Sequence, residues 1–147
     1  MKKLVFKVLG LSILFFLSSC GSSDNQFELI GNADVSDGTM IYVLQADQNN
    51  QPYIKDSTSV QSNSFKFKGV SSTPQISYIQ VEGVNGYVLA ILENGDIKAD
   101  IDKDDISNSK VYGTKSNDDF IKYKSETKSL VDVMNNISSE AQNAIMS

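Results

Sequence analysis

The 147-residue sequence contains no histidine, no tryptophan and a single cysteine, Cys20. Without histidine, the commonest general base, the commonest transition-metal ligand and every histidine-based triad are excluded. One cysteine allows neither an internal disulfide nor a redox pair. Basic residues are outnumbered, 13 against 18 acids, so the net charge is −5. Nucleic acid and anionic headgroups repel such a chain, and no nucleic-acid partner is expected.

The lone cysteine gains meaning from what precedes it. Lys2, Lys3 and Lys7 form a cationic start, Leu4 to Leu17 is mostly apolar, and Leu17-Ser18-Ser19 leads into Cys20. A charged start, a short apolar run and a small-residue exit are the parts of an export signal. The run falls short of the ~20 apolar residues that span a bilayer. Leu17-Ser18-Ser19-Cys20 resembles the lipobox of bacterial lipoproteins. That resemblance implies diacylglycerol on the Cys20 sulfur and cleavage before it, with residues 1–19 removed as a lipoprotein signal peptide. Loss of three lysines and no acid takes the remaining 128 residues to a net charge of −8. One domain of that size is expected. Its membrane partner is reached through the lipid on Cys20 alone. The expected location is the cell envelope, on a membrane facing the periplasm, with the Gram-negative outer membrane as the best reading. Residues 20–26 are small and polar and read as the lipidated flexible tether.

From Phe27 to about Tyr112 the chain alternates short runs of β-formers with Gly, Asn, Asp and Ser clusters. Strands are expected near 27–32, 39–46, 53–61, 64–69, 75–83, 86–93, 96–102 and 109–112. Asn85-Gly86 and Asn94-Gly95 suit type I′ turns and predict a three-stranded antiparallel meander. A weaker hairpin is expected at Ser62-Asn63. Ile97, Ala99 and Ile101 share one face, as do Phe65 and Phe67. Tyr87–Leu92 is apolar on both faces and reads as a central strand. The fold class is therefore all-β with a C-terminal helix: an antiparallel β-sandwich or open barrel of seven or eight short strands over 27–114, then one long amphipathic helix over 115–147.

The helix follows from the absence of glycine and proline after Ser116. Asn117, Asp118 and Asp119 offer capping and negative charge to its N-terminus. Phe120, Tyr123, Thr127, Leu130, Met134, Ile137, Ala141 and Ala144 recur at steps of three and four, a near-heptad stripe. Phe120, Tyr123, Leu130, Met134 and Ile137 are the candidate face for a protein partner or for self-association.

Candidate chemistry elsewhere is thin. Asp100, Asp102 and Asp104 resemble the opening of a calcium loop. Asp105 stands where glycine is needed and Val111 where the bidentate glutamate belongs, so a solvated strand end is the reading. Glu93 and Asp96 flank the Asn94-Gly95 turn and read as turn chemistry. Asp56, Ser57, Thr58 and Ser59 read as exposed strand positions. Tyr42, Tyr53, Tyr78, Tyr87 and Tyr112 read as packing, with a sugar or peptide platform as the alternative. No catalytic, cofactor-binding or metal-binding residue is expected.

Several pieces together resemble the family called domain of unknown function 4369. They are Phe27-Glu28-Leu29-Ile30-Gly31, Asp56-Ser57, Phe65-Lys66-Phe67-Lys68-Gly69, Leu92-Glu93-Asn94-Gly95-Asp96-Ile97, Val111-Tyr112-Gly113-Thr114 and Asn117. The resemblance implies a lipoprotein β domain often placed ahead of a helical linker and a thioredoxin-like or peroxiredoxin-type thiol–disulfide oxidoreductase domain. This sequence ends in the helix with no Cys-x-x-Cys after it, so no redox activity is transferred. The expected function is a non-enzymatic binding or spacing module on the envelope. The alternatives are a fragment of such a redox enzyme and a sugar- or peptide-binding lipoprotein.

Overall fold

A computed structural model describes residues 25–146. The expected signal peptide, Cys20 and the expected tether up to Asp24 lie outside the described residues, while Gln26, read as tether, is already the first residue of a strand. The strands are β1 (Gln26–Ala33), β2 (Met40–Ala46), β3 (Pro52–Ser59), β4 (Ser64–Val70), β5 (Gln75–Val81), β6 (Val88–Leu92), β7 (Gly95–Ile101) and β8 (Lys110–Tyr112). One helix, α1 (Lys115–Met146), follows.

The strands make a sandwich of two four-stranded sheets and not a barrel, with orders β4-β1-β7-β8 and β3-β2-β5-β6. Neighbours are antiparallel except β1 and β7, which run parallel. Alternate residues of each strand turn inward, and the two inner faces bury each other. Leu29, Ile41, Val60, Ile79, Ile97 and Val81 are almost or wholly without solvent contact. Phe65, Phe67, Ala99 and Ile101 face this core, as their alternation requires.

Two reciprocal pairs knit β1 to β4. Phe27 lies opposite Gly69, and Gly31 opposite Phe65, with Leu29 and Phe67 between them. A Cβ at Gly31 would overlap the tip of the Phe65 ring, at Cζ, and one at Gly69 would meet the Phe27 ring at 2.7 Å. Each glycine is the space its partner's ring occupies.

The predicted meander does not form. β5 and β6 pair, but through a six-residue connection, and β7 joins the other sheet. Gly86 and Gly95 take positive φ without their asparagines, so neither Asn-Gly is a two-residue type I′ turn. The reason lies in the inner faces. A β6–β7 hairpin would set Val88, Ala90 and Leu92 beside Ile97, Ala99 and Ile101 on one face with nothing opposite. Crossing between sheets at Gly95 lets the two sets bury each other.

The weaker hairpin carries the geometry expected of the stronger ones. Ser62 and Asn63 have φ of 51° and 60°. The Gln61 N–H donates to the Ser64 carbonyl at 2.9 Å, and the Ser64 N–H to the Gln61 carbonyl at 3.0 Å. Beyond that pair the strands part into opposite sheets. β6 is an edge strand and not the central one its apolarity suggests. Its outward residues, Leu89 and Ile91, are half-buried because the first turns of α1 lie over them.

Candidate functional site

The chain leaves the sandwich through a compact junction. Gly113 has φ +100°, and a Cβ there would meet the Asp96 carbonyl oxygen at 2.7 Å, so only glycine fits the close approach. Its N–H donates to Asp118 Oδ1 at 2.9 Å, and the Asp118 N–H donates to the Thr114 carbonyl at 2.9 Å, which starts the helix.

Glu93 supplies the next contact. Its carboxylate accepts the Ser116 N–H at 2.8 Å and the Ser116 hydroxyl at 2.7 Å. A carboxylate at a helix N-terminus satisfies orphan N–H groups and meets the positive end of the dipole. Burial is the largest single influence on this carboxyl and pushes its pKa up. The hydrogen bonds from Ser116 and Thr114, with the nearby Lys115 charge, together outweigh burial and leave the pKa below its ordinary value. A depressed acid contributes stability that is whole above its unfolded pKa and is lost as pH falls through the folded one. Glu93→Gln is therefore expected to loosen the start of α1 at neutral pH. Its effect should begin to shrink as pH falls below the ordinary glutamate value of about 4.3 and vanish only below the depressed folded pKa, where the native carboxyl is also neutral. Helix circular dichroism against pH, wild type beside variant, reads this.

Asn117 closes the junction. It is 1% exposed. Its Oδ1 accepts the Ile91 N–H at 2.9 Å, while its Nδ2 donates to the Ile91 carbonyl at 2.8 Å and to the Thr114 hydroxyl oxygen at 2.7 Å. The side-chain amide stands where another strand's backbone would be and caps the free edge of β6. Asn117 is thus a docking residue inside the first turns and not the cap the sequence suggested. Glu93, read as turn chemistry, is the clamp on the helix. Both roles are long-range, so local pattern could not find them. Glu93, Thr114 and Asn117 are, however, all among the pieces on which the family resemblance rests.

The first turns of α1 run from the tether end of the sandwich toward the opposite end. Asn117 meets Ile91, close to where β6 ends. Phe120 and Ile121 line a hollow of about 170 Å³ with Tyr87, Leu89 and Ile106. Lys124 Nζ reaches the Ser107 carbonyl at 3.2 Å. From Lys122 to Met146 every residue is exposed. Of the predicted partner face, Phe120 is half-buried against the sandwich and stacks near Tyr123, with ring centroids 6.4 Å apart. Tyr123, Leu130, Met134 and Ile137 stand in solvent.

The acidic cluster is occupied locally. Asp102 Oδ1 accepts the N–H groups of Asp104 and Asp105, both at 3.0 Å, and these bonds, Asp105's foremost, hold its pKa down. Asp105 accepts the Ser107 N–H at 3.0 Å and its hydroxyl at 2.6 Å. The Asp100 carboxylate accepts a hydrogen bond from the Tyr112 hydroxyl, and this bond, with the Asp100 charge, pushes the phenol pKa up. Among the described residues, no three His, Cys, Asp or Glu side chains converge as a metal site. Asp56 accepts the N–H of Ser57 on the exposed edge strand β3. The tyrosines are spread: Tyr53 bonds Gln45, Tyr78 meets Tyr87 edge-on, and Tyr112 lies over β7.

Two further surfaces have shape. A hollow of about 110 Å³ opens between the sheets at the tether end, floored by Phe27, Val43, Phe67 and Leu92 and rimmed by Lys55, Asp56 and Lys68. It is well below the ~300 Å³ of an ordinary ligand site. The outer face of the second sheet exposes Ile54, Ile76 and Tyr78, and β2, β5 and β6 contain no charged residue. The first sheet's outer face is ionic, with Glu28 paired to Lys66 and Lys68. No helix among the described residues is long and apolar enough to cross a membrane.

No match was found among curated proteins or among solved structures. The family model described as "Domain of unknown function (DUF4369)" matches residues 27–120, from the first buried side chain of β1 to Phe120, which packs against the sandwich in the first turns of α1. The chain belongs to the DUF4369 family.

Proposed function

We propose that this protein is a cell-envelope lipoprotein whose β domain is a non-catalytic spacing and binding module, anchored by lipid on Cys20. The observation that carries the reading is the polarity of the molecule. The chain enters the sandwich at Gln26, beside the end where α1 begins, and α1 then runs to the opposite end and projects beyond it. From Lys124 onward about 22 residues extend ~33 Å at 1.5 Å each. A protein anchored at Cys20 carries this helix away from the membrane, toward the periplasm. The junction of Glu93, Thr114 and Asn117 gives the helix a fixed exit. Each buried CH₂ of the anchor contributes ~0.8 kcal/mol, so two or three acyl chains hold the module firmly. The exposed stripe on the projecting helix docks a protein.

Growth with an alkyne-bearing fatty acid tests the anchor. The full chain is expected to take up the label and the Cys20→Ser variant to remain unlabelled; equal labelling of both contradicts the reading. A second reading, the N-terminal part of a thioredoxin-like redox lipoprotein, draws support from family membership. A Cys-x-x-Cys reading frame directly downstream of Ser147 in the gene would favour it.

A further inference from the structure

We propose that the projecting part of α1 pairs with the same helix of a second copy, in parallel and in register, as a two-stranded coiled coil. The proposal rests on the anchored reading above for its orientation and on the helix itself for its seam.

Between Lys122 and Asn143 the helix divides cleanly. With Phe120 as heptad position a, the a, d, e and g positions from Leu130 to Ile137 are Leu130, Val131, Val133, Met134 and Ile137. All five are exposed and none is charged. The b, c and f positions over the wider span are Lys122, Ser125, Lys128, Ser129, Asp132, Asn135, Asn136, Ser139, Gln142 and Asn143, without one apolar side chain. A heptad seam with polar outer positions is the pattern of a coiled coil. An uncharged seam is self-complementary, since no like charges meet across a twofold axis. A lipid surface fits less well. The helix carries four lysines against five acids, where a membrane-surface helix is basic on its polar face.

Sterics permit the pair. Asn117, Phe120, Ile121 and Lys124 face the sandwich. At about 100° per residue, the stripe of Tyr123, Leu130, Met134 and Ile137 is centred about 120° away from them. A second helix laid on the stripe runs beside the sandwich, and the two sandwiches sit on the outside of the pair.

Charge and anchorage choose the direction. An antiparallel pair centred between Leu130 and Met134 would bring Glu126 against Glu140 of the other copy, twice. A parallel pair sets these glutamates against Val131 and Ile145 instead. Two copies anchored on one membrane both send α1 outward, so their stripes run the same way. The six residues from Cys20 to Gln26 reach at most ~20 Å, too little to invert one copy against a ~48 Å helix.

Cysteine cross-linking of the full chain in its native membranes tests this. Leu130→Cys and Ile137→Cys, both at d, are expected each to form a disulfide-linked dimer under mild oxidation. Asp132→Cys, on the outer side, should remain monomeric. A cross-link at only one of the two d positions, at neither, or as readily at Asp132→Cys overturns the parallel pair. The unsubstituted chain separates this outcome from the anchor. A Cys20 held in a thioether gives no dimer; a disulfide through Cys20 would sink the lipid reading, and the three helix positions are then compared in the Cys20→Ser chain, where only the introduced thiol can cross-link.

Discussion

Asn117→Ala is expected to lower the unfolding free energy by roughly 2–4 kcal/mol and to release the start of α1 from the sandwich. The substitution removes three hydrogen bonds at a site only 1% exposed. It leaves both backbone groups of Ile91 without their partner. A hydrogen bond contributes about 1 kcal/mol net, and an unsatisfied buried group costs ~1–3 kcal/mol. Asn117→Asp keeps an acceptor for the Ile91 N–H but turns an oxygen on the Ile91 carbonyl, so it should cost at least as much. Urea unfolding followed by far-ultraviolet dichroism measures the stability. Amide exchange measures the release: the Ile91 N–H and the first turns of α1 should lose protection before the β1–β7 ladder does. A loss below ~0.5 kcal/mol with unchanged exchange at Ile91 would show that the amide is not what holds the helix.

Gly31→Ala is the second large effect, expected at roughly 1–3 kcal/mol, the range for forcing extra volume into a packed core. The added methyl would occupy the place of the Phe65 ring, which is itself buried against Phe67. Backbone strain is not the cause, since the loss is specific to one aromatic neighbour. Phe65→Leu alone should also destabilise, by emptying space over Gly31. The double variant Gly31→Ala/Phe65→Leu should then be more stable than the two losses added, by ~0.5–3 kcal/mol, as for residues in direct contact. Thermal melts of the four proteins complete the cycle. Strict additivity would refute the contact.

These two residues show what was legible in the sequence. Alternation found all eight strands and the inward set of Ile97, Ala99, Ile101, Phe65 and Phe67, because a half-buried strand writes its burial into every second residue. The loss of glycine after Gly113 marked the helix. Sheet membership was not legible at the Asn-Gly turns. Asn85-Gly86 and Asn94-Gly95 both tolerate a tight hairpin, yet the second is a crossing between sheets. What decides it is which apolar faces must meet, a property of the whole domain. Ile91 and Leu89 suggested a central strand for the same reason: apolarity reports that a face is covered and not whether a strand or a helix covers it. Asn117 reads locally as a cap and Glu93 as turn chemistry, and their actual roles are not legible from pattern. Their partners, Ile91 and Ser116, lie on the far side of β7 and β8 in sequence. The reciprocal Phe27–Gly69 and Gly31–Phe65 pairs were likewise present in the recognised pieces without their meaning. In the structure, the recognised segments supply the packing of β1 against β4 and the junction that holds α1 (Asp56-Ser57 on edge strand β3 apart), so what the family resemblance marks is mainly the frame of the sandwich and its joint with the helix.

The frame serves a lipoprotein only if the sulfur at position 20 carries lipid. The most direct measurement is the mass of the N-terminal peptide from protein taken out of its native membrane. The expected result is a chain beginning at Cys20 with a diacylglyceryl thioether on its sulfur. A chain beginning at Met1, or a mature terminus whose Cys20 is a free thiol, would contradict it.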